Sequence, residues 1–318
     1  MALNGTETAV LLCGHGSRDA DAIAEFRRLA ARLAEKIRPL PLADAHLEFA
    51  RPHIREGLER LRDAGAKRIL AVPGMLLAAG HVKNDIPWEL NSFADAHPEM
   101  TVRYARELAI EPKLLRVSAQ RIEEAEGEAK RRVRRAETLL VVVGRGTTDP
   151  DANSNVAKIA RMLWEGMGFG WAETAFSGVA HPGVDVALGR AARLGFGRII
   201  VFPYFLFTGV LVKRILRLTQ EAAVKHPKIE FLAAGYLKDH PLTIETLIER
   251  VHEIGEGTNN MNCQLCKYRE RVIGYEHDVG KAQAGHHHHV RGIGTGTGTA
   301  KQAGHPHGRK TGGGHAQP

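Results

Sequence analysis

The chain has 318 residues, of which 43% are hydrophobic and 25% are charged, and these globular values exclude a chain that is disordered throughout. No apolar run approaches the roughly 20 residues that cross a bilayer, and the amino terminus lacks the basic start of a signal peptide. Three cysteines cannot build a disulfide framework, so we expect a cytoplasmic protein.

The formal net charge of +8 is concentrated in the last part of the chain. From residue 261 onward there are eight Lys or Arg and three Asp or Glu, a net charge of +5, which leaves only +3 for the first 260 residues. The basic segment contains only two aromatic residues, Tyr268 and Tyr275, so it lacks platforms on which bases could stack. We therefore expect no nucleic-acid partner.

Short apolar runs alternate with segments that have the 3.6-residue period of an amphipathic helix. In the first half, the pattern predicts strands at 9–13, 45–49, 68–72 and 101–104. Alternating strands and helices of this kind indicate a parallel sheet with helices on both faces.

The pattern then repeats with a period near 130 residues. TAVLLC followed by GHGSRD corresponds to TLLVVV followed by GRGTTDP, and Gly65 and Pro73 correspond to Gly195 and Pro203. The sequence therefore predicts an α/β protein with two tandem flavodoxin-like domains at 1–135 and 136–257. Each would be a three-layer αβα unit, and a charged helix at 123–137 would join them.

Residues 258–318 have almost no apolar periodicity, which predicts a largely disordered tail rich in Cys and His. Its GIGTGTGT run is not a dinucleotide fingerprint, because no strand precedes it and no helix follows.

Three chemically active side chains follow three successive strands of the first half. His15 follows the first strand, Glu48 ends the second, and His81 follows the third. Ligands of open parallel sheets bind at the carboxyl ends of the strands, where these groups would meet. Two imidazoles and a carboxylate suit a divalent metal such as Co²⁺, Ni²⁺, Fe²⁺ or Zn²⁺, and they also supply bases near neutral pH.

The repeat serves as an internal control on this interpretation. Alignment of the halves places Arg145 opposite His15, Gly178 opposite Glu48 and Val210 opposite His81. The second half thus has the same scaffold and none of the three candidate groups. Loss of all three together favours an active first half and a duplicate without the active-site residues.

At these positions the chain resembles the class II chelatases of the sirohydrochlorin type, through GHGSRD, LEFARP and GHVKNDIP in this order. Its length, duplication and Cys/His-rich tail resemble the long, cobalt-inserting form. The resemblance implies ATP-independent insertion of Co²⁺ into sirohydrochlorin on the early-cobalt-insertion (anaerobic) route to cobalamin. It implies that His15 and His81 hold the metal, and that Glu48 is a further ligand or a proton acceptor. No nucleotide is required.

Sirohydrochlorin is an acidic tetrapyrrole, so its site should offer cations and free amide groups. Ser17, Arg18, Arg51 and Lys83 are the candidates in the first half, and each has an ordinary surface role as its alternative. Arg145 would join them if the two halves face each other across a cleft.

Cys13 ends a buried strand and is expected to be a core residue. Cys263 and Cys266 form a CxxC pair, which in a cytosolic chain indicates a metal or redox element. The resemblance favours an iron–sulfur cluster, but such clusters normally take four thiolates. A homodimer sharing the cluster, histidines completing the ligands, and zinc in place of the cluster are the open alternatives.

Histidines are frequent from residue 277 onward, and we interpret them as a native tail that stores divalent metal or delivers it to His15 and His81, with an engineered tag as the alternative. The predicted tail ligands are His286, His287, His288, His289, His305 and His307.

Three other functions compete with cobalt insertion. The same ligands would serve a sirohydrochlorin chelatase for Fe²⁺ (siroheme) or Ni²⁺. A cobalt or nickel storage protein or metallochaperone would explain the tail but not the cations beside the three ligands. A hydrolase is disfavoured because the GxSxG nucleophile motif is missing.

Overall fold

The computed structural model describes residues 7–257 and 265–282. Within these ranges the chain forms two four-stranded parallel sheets, each covered by helices, and this confirms the predicted α/β class. The strands of the first sheet are β1 (Thr8–Gly14), β2 (Leu42–His46), β3 (Arg68–Pro73) and β4 (Thr101–Tyr104). Those of the second are β5 (Thr138–Gly144), β6 (Trp171–Phe176), β7 (Arg198–Pro203) and β8 (Glu230–Ala233).

The helices that connect the strands are amphipathic, as their 3.6-residue period predicts. They are α1 (Ala20–Lys36), α2 (Ile54–Asp63), α3 (Ile86–Ala96), α4 (Pro112–Gly127), α5 (Pro150–Met167), α6 (Val184–Ala191), α7 (Val210–Lys225) and α8 (Pro241–Glu256). A π-helical turn, His81–Asp85, precedes α3, and two short 3₁₀ turns lie at Arg135–Glu137 and Glu276–Asp278.

The sheets have the strand orders β2-β1-β3-β4 and β6-β5-β7-β8. Every residue of the central strands β1 and β5 is buried, because helices cover both faces of a parallel sheet. Strand β2 begins and ends three residues earlier than predicted. Its pairing with β1 stops at His46 opposite Gly14, where β1 itself ends, so Glu48 lies in the loop that follows.

The repeat is confirmed by the pairing of the strands. Gly14 pairs with His46 in the first sheet and Gly144 with Phe176 in the second, and the residue numbers differ by 130 in both cases. Side chains where the two halves meet show the same offset of 130 residues. Lys83 Nζ lies 2.9 Å from a carboxylate oxygen of each of two aspartates at the start of α5, and Lys213 Nζ lies 2.7 and 2.9 Å from the two at the start of α1. The halves therefore face each other with approximate twofold symmetry.

The two halves exchange their last helices. Helix α4 follows the first sheet but packs on β7 and α5, whereas α8 follows the second sheet but packs on β3 and α1. Arg250 of α8 is completely buried and donates to the carbonyl oxygens of Glu107 and Leu108 at 3.1 and 3.2 Å. A boundary near residue 135 thus separates the two sheets but not the two packed units.

The charged run at 123–137 predicts one helix between the sheets, and this prediction is wrong. Helix α4 ends at Gly127, and only the 3₁₀ turn Arg135–Glu137 follows before β5. Arg131 donates to Lys228 O, and the carboxylate of Glu230 accepts from two backbone amides of the segment. These contacts hold it against the second sheet instead of in a helix.

Part of the predicted tail is described, at residues 265–282. Cys266 and Lys267 are buried there, and Lys267 forms an ion pair with Asp278 at 3.0 Å. The hydroxyl of Tyr268 lies 3.8 Å from the point that a Cβ atom at Gly80 would occupy, so this segment packs beside the π-helical turn. Among the described residues, no helix is both long and apolar enough to cross a membrane.

Candidate active site

The structure brings His15, Glu48 and His81 together at the carboxyl edge of the first sheet. One ligand atom from each lies within 4.8 Å of the others. The Nε2 atom of His15 is 3.5 Å from Oε1 of Glu48, and the rings of His15 and His81 meet edge to face with centroids 4.8 Å apart. Small side-chain adjustments would bring all three groups to a shared divalent cation.

Hydrogen bonding determines which nitrogen of His15 can bind a metal. The Nδ1 atom lies 3.0 Å from the carbonyl oxygen of Gly16, which can only accept, so Nδ1 carries the proton and Nε2 has the free electron pair. Desolvation, reinforced by the positive charge of Arg145 and the neighbouring His81, lowers the pKa of His15 to about 3. The ring is therefore neutral at pH 7, which is the form that ligates metals.

Glu48 and His15 are held together through their backbones. The amide of Glu48 donates to the carbonyl oxygen of His15 at 3.0 Å, which extends the pairing of β1 with β2 into the loops. Gly16 makes this approach possible. Its φ is +91°, and a Cβ atom at this position would lie 1.7 Å from the carbonyl oxygen of Glu48. Only glycine can occupy such a position.

His81 is oriented by a residue that the sequence analysis did not identify. Its Nδ1 atom lies 2.7 Å from Oδ2 of Asp85, one π-helical turn further along the chain. Asp85 is buried, and a carboxylate that accepts from one imidazole nitrogen leaves the other free for a metal. The four-residue spacing in HVKND was the available signal, but it also fits an ordinary helix surface pair.

Replacing Asp85 with asparagine is expected to weaken Co²⁺ binding at this site by about 10- to 100-fold, because a neutral amide raises the basicity of His81 less than a carboxylate does. The measurement is a chelator competition, with an Asp63→Asn protein as control because Asp63 is exposed and paired with Arg62. An unchanged cobalt affinity in Asp85→Asn would contradict this role.

The second half contributes Arg145 to the site. Its Nη2 atom lies 3.0 Å from Nε2 of His15, so the guanidinium donates to the nitrogen that carries the free electron pair. Arg145 is the repeat counterpart of His15, and the two residues meet because the halves face each other. This placement agrees with the expectation that Arg145 would reach the site across a cleft.

The cleft lies between the two halves and has a volume of about 390 Å³. Residues from both sheets line it, and Arg145 is the one lysine or arginine in that lining within the described chain. Most of the other lining side chains are apolar. They include Ile23, Phe26, Phe49, Met75, Leu76, Leu77, Phe205, Leu206, Phe207, Val210 and Leu211.

The residues predicted to bind substrate lie in different surroundings. Ser17 lines the cleft, and its Oγ accepts from a backbone amide at the start of α1. Arg18 is exposed and lies over the ring of Phe49, 4.8 Å from its centroid. Arg51 is exposed and forms an ion pair with Glu56 at 3.3 Å. Of these three, only Ser17 is among the cleft-lining residues.

Lys83 has a different environment from the one that we predicted. Its side chain is buried between Asp149 and Asp151 and does not line the cleft. The equivalent Lys213 makes the same kind of contact with the first half, so this is a joint between the halves. Because the charge of Lys83 is already paired by two buried carboxylates, the geometry argues against a contact with substrate.

The alignment of His81 with Val210 of the second half was also wrong. The amide of Lys83 donates to Ala79 O, and the amide of Lys213 donates to Gly209 O, both at 2.9 Å. These equivalent hydrogen bonds show that residues of the two halves still differ by 130 in number at the start of these helices. Leu211, and not Val210, therefore corresponds to His81. Leucine binds no metal either, so the contrast between the halves is unchanged.

His46 lines the cleft, and the sequence analysis did not identify it. It is 1% exposed, and neither ring nitrogen has a hydrogen-bond partner among the described residues. Burial lowers its pKa to about 4. The equivalent residue in the second half is Phe176, at the same backbone position opposite the last glycine of the central strand. The scaffold therefore does not require an imidazole here, and His46 is a feature of the first half alone.

The family model described as CbiX matches residues 9–125 and again 139–254. The chain belongs to the CbiX family. It is 36% identical over 266 residues to a sirohydrochlorin cobaltochelatase of Priestia megaterium, covering 83% of this chain and 86% of the relative. It is 30% identical over 233 residues to a sirohydrochlorin ferrochelatase of the same organism, covering 73% and 85%.

A solved structure, SirB from Bacillus subtilis with Fe³⁺, superimposes with a TM-score of 0.70. It is 27% identical and covers 81% of this chain and all of that protein. The sirohydrochlorin chelatase SirB of Bacillus subtilis subspecies spizizenii, in complex with cobalt, is 26% identical, has a TM-score of 0.66 and covers 79% of this chain and 97% of that protein. The described fold, with both halves included, is therefore that of these chelatase structures.

Several predicted residues lie outside the described part of the chain. They are Cys263 and the tail histidines His286, His287, His288, His289, His305 and His307. Within the described residues, neither Cys266 nor the buried Cys13 forms a disulfide. The Cys13 thiol lies within the core of the first half, and burial raises its pKa far above the ordinary value, which agrees with a packing role.

Proposed function

We propose that this CbiX-family chain inserts Co²⁺ into sirohydrochlorin without ATP, as a cobaltochelatase of the early-insertion route to cobalamin. The observation that carries the proposal is the convergence of His15, Glu48 and His81 within 4.8 Å at the edge of an apolar cleft. Support for cobalt as the metal comes from the 36% identity to a sirohydrochlorin cobaltochelatase.

The residue types suit the chemistry of metal insertion. A divalent cation must shed water, pass from protein ligands to the ring nitrogens and displace two pyrrole protons. His15 and His81 hold the metal through Nε2, because Nδ1 of each ring is already hydrogen-bonded, and Glu48 supplies a carboxylate. Neutral imidazoles hold Co²⁺ firmly enough to position it and release it to a chelating macrocycle. Glu48 or a histidine then accepts the released protons.

The cleft suits a flat, largely apolar ring with acidic substituents. Its walls carry leucine, phenylalanine and methionine side chains from both halves, which cover the faces of the macrocycle. Among the polar residues that line the cleft, we assign Ser17 and Arg145 to the carboxylates of sirohydrochlorin. Arg18 and Arg51 remain proposals at the rim, where reorientation would be required, and we propose no such role for Lys83.

Anaerobic turnover of sirohydrochlorin with Co²⁺, Fe²⁺ and Ni²⁺ in parallel tests this proposal, because each insertion changes the visible spectrum. We expect cobalt to be inserted fastest. A faster reaction with Fe²⁺ would instead support the ferrochelatase alternative, which the 30% identity to a sirohydrochlorin ferrochelatase favours. Failure to exceed the uncatalysed rate with any metal would overturn the chelatase proposal and favour metal storage.

For the tail we propose storage or delivery of divalent metal. The support is its run of histidines, since imidazole is a good ligand for Co²⁺ and Ni²⁺. Deletion of residues 283–318 should leave insertion intact at saturating metal and reduce it only when metal is scarce. Complete loss at saturating Co²⁺ would contradict this role.

For Cys263 and Cys266 we propose metal binding, supported by their CxxC spacing. One chain cannot supply the four thiolates of an iron–sulfur cluster, because it has only three cysteines. The third, Cys13, is also buried inside the first half. A cluster would require a second copy of the chain or histidine ligands, and zinc is the alternative. Visible absorption of anaerobically purified protein that persists in a Cys263→Ser/Cys266→Ser variant would refute a cluster at this pair.

A further inference from the structure

Arg145 and an incoming metal need the same electron pair. The Nδ1 atom of His15 is committed to Gly16 O, so Nε2 is its only metal-binding atom. Arg145 Nη2 donates to that atom at 3.0 Å. A metal bound to Nε2 would occupy the direction from which the guanidinium donates, and the two cations would repel each other at this distance. Arg145 must therefore move before His15 can ligate the metal.

A carboxylate group of a ligand in the cleft would be an alternative hydrogen-bond partner for Arg145. Arg145 is exposed on the cleft side and is the one lysine or arginine lining it within the described chain. Guanidinium groups bind carboxylates through two parallel hydrogen bonds, which are stronger than a single bond to a neutral imidazole. A carboxylate-bearing ligand in the cleft would therefore attract Arg145 away from His15.

We infer that Arg145 is a gate between the two substrates: it blocks His15 while the cleft is empty and releases it when a carboxylate of the tetrapyrrole takes the guanidinium. This inference rests on the proposed function for the identity of the carboxylate ligand. It makes Arg145 a positioning residue that couples metal binding to occupation of the cleft. Because coupling between two ligands is reciprocal, a metal bound at His15 also favours transfer of Arg145 to the carboxylate.

An Arg145→Met variant tests the gate, because methionine keeps much of the length of the side chain and removes both the donor and the charge. We expect Co²⁺ binding at the site to become tighter by about tenfold or more in the absence of tetrapyrrole. We expect metal-free sirohydrochlorin to bind more weakly. Misfolding cannot produce the first result, because a damaged site binds metal less tightly.

The matched control is Arg27→Met. Besides burial, the positive charge of the exposed Arg27 lowers the pKa of His46 in the cleft lining, but Arg27 itself does not line the cleft. Chelator competition gives the cobalt affinity, and binding that persists in a His15→Ala/His81→Ala protein is assigned to the tail and subtracted. The control should change cobalt affinity by less than about threefold, since screening weakens charges at the surface.

Unchanged or weaker cobalt binding in Arg145→Met would overturn the gate, and so would an equal gain in Arg27→Met. Unchanged affinity for sirohydrochlorin would overturn the coupling. Neither result depends on turnover, so both are distinct from failure of the proposed function. If the wild-type protein inserts cobalt but Arg145→Met shows no gain in metal affinity, the gate is wrong and the chelatase proposal is unaffected.

Discussion

A chain in which His15 and His81 are both replaced by alanine is expected to lose cobalt insertion, with a rate reduced by more than about 100-fold relative to wild type. The estimate is a lower bound, since loss of a partner that only orients a ligand already costs about 10- to 100-fold. In this chain the two Nε2 atoms are the proposed nitrogen ligands at the cleft edge, and without them only the carboxylate of Glu48 is left of the three groups.

The control for this prediction is His252→Ala, which removes an exposed imidazole from α8 on the surface of the protein. It should insert cobalt at the wild-type rate. The assay contains saturating Co²⁺, so that metal held by the histidine tail does not limit the reaction. A double variant that keeps more than half of the wild-type rate would show that insertion occurs elsewhere.

Replacing Arg250 with methionine is expected to lower the free energy of unfolding by about 3–5 kcal/mol, the cost of removing one partner from a buried ion pair. Arg250 is completely buried, and its guanidinium contacts carboxylates of Glu111 at 3.0 Å and Glu253 at 2.5 Å besides two backbone carbonyls. Methionine fills much of the space but removes the donor from Glu111 and the two backbone carbonyls, whereas Glu253 keeps its ion pair with Arg106.

Lys113→Met is the matched control, because Lys113 pairs with Glu249 across the same two helices but near the surface. A surface pair contributes at most about 1 kcal/mol. Urea denaturation of both variants gives the comparison. Equal losses in the two proteins would show that the exchanged helix α8 is not anchored by the buried arginine.

The fold and the central three residues could be predicted because both depend on local pattern. Continuous apolar runs such as β1 and the helical period between them define a parallel sheet, and such a sheet presents the ends of its strands at one edge. His15, Glu48 and His81 were found because each follows a strand. The one misplaced strand, β2, did not affect this, since Glu48 remains beside His15 in the loop.

What could not be predicted depends on contacts between the halves. Lys83 is next to the site in sequence, but the second half supplies Asp149 and Asp151, which pair with its charge. The exchange of α4 and α8 likewise depends on packing between the halves, because the apolar stripe of each helix does not specify which sheet it covers. His46 had no signal of its own. Its unpartnered nitrogens are visible only once the ring is placed among its neighbours.

Anomalous diffraction at the cobalt edge shows whether cobalt enters at His15, Glu48 and His81, in crystals that contain enough Co²⁺ to displace Arg145 from His15 without a tetrapyrrole in the cleft. We expect the strongest anomalous peak between Nε2 of His15, Nε2 of His81 and the Glu48 carboxylate, with ligand distances of about 2.0–2.2 Å. Arg145 should then no longer contact His15. Cobalt bound elsewhere in the crystal, with these three groups unligated and Arg145 still on His15, would show that this assignment is wrong.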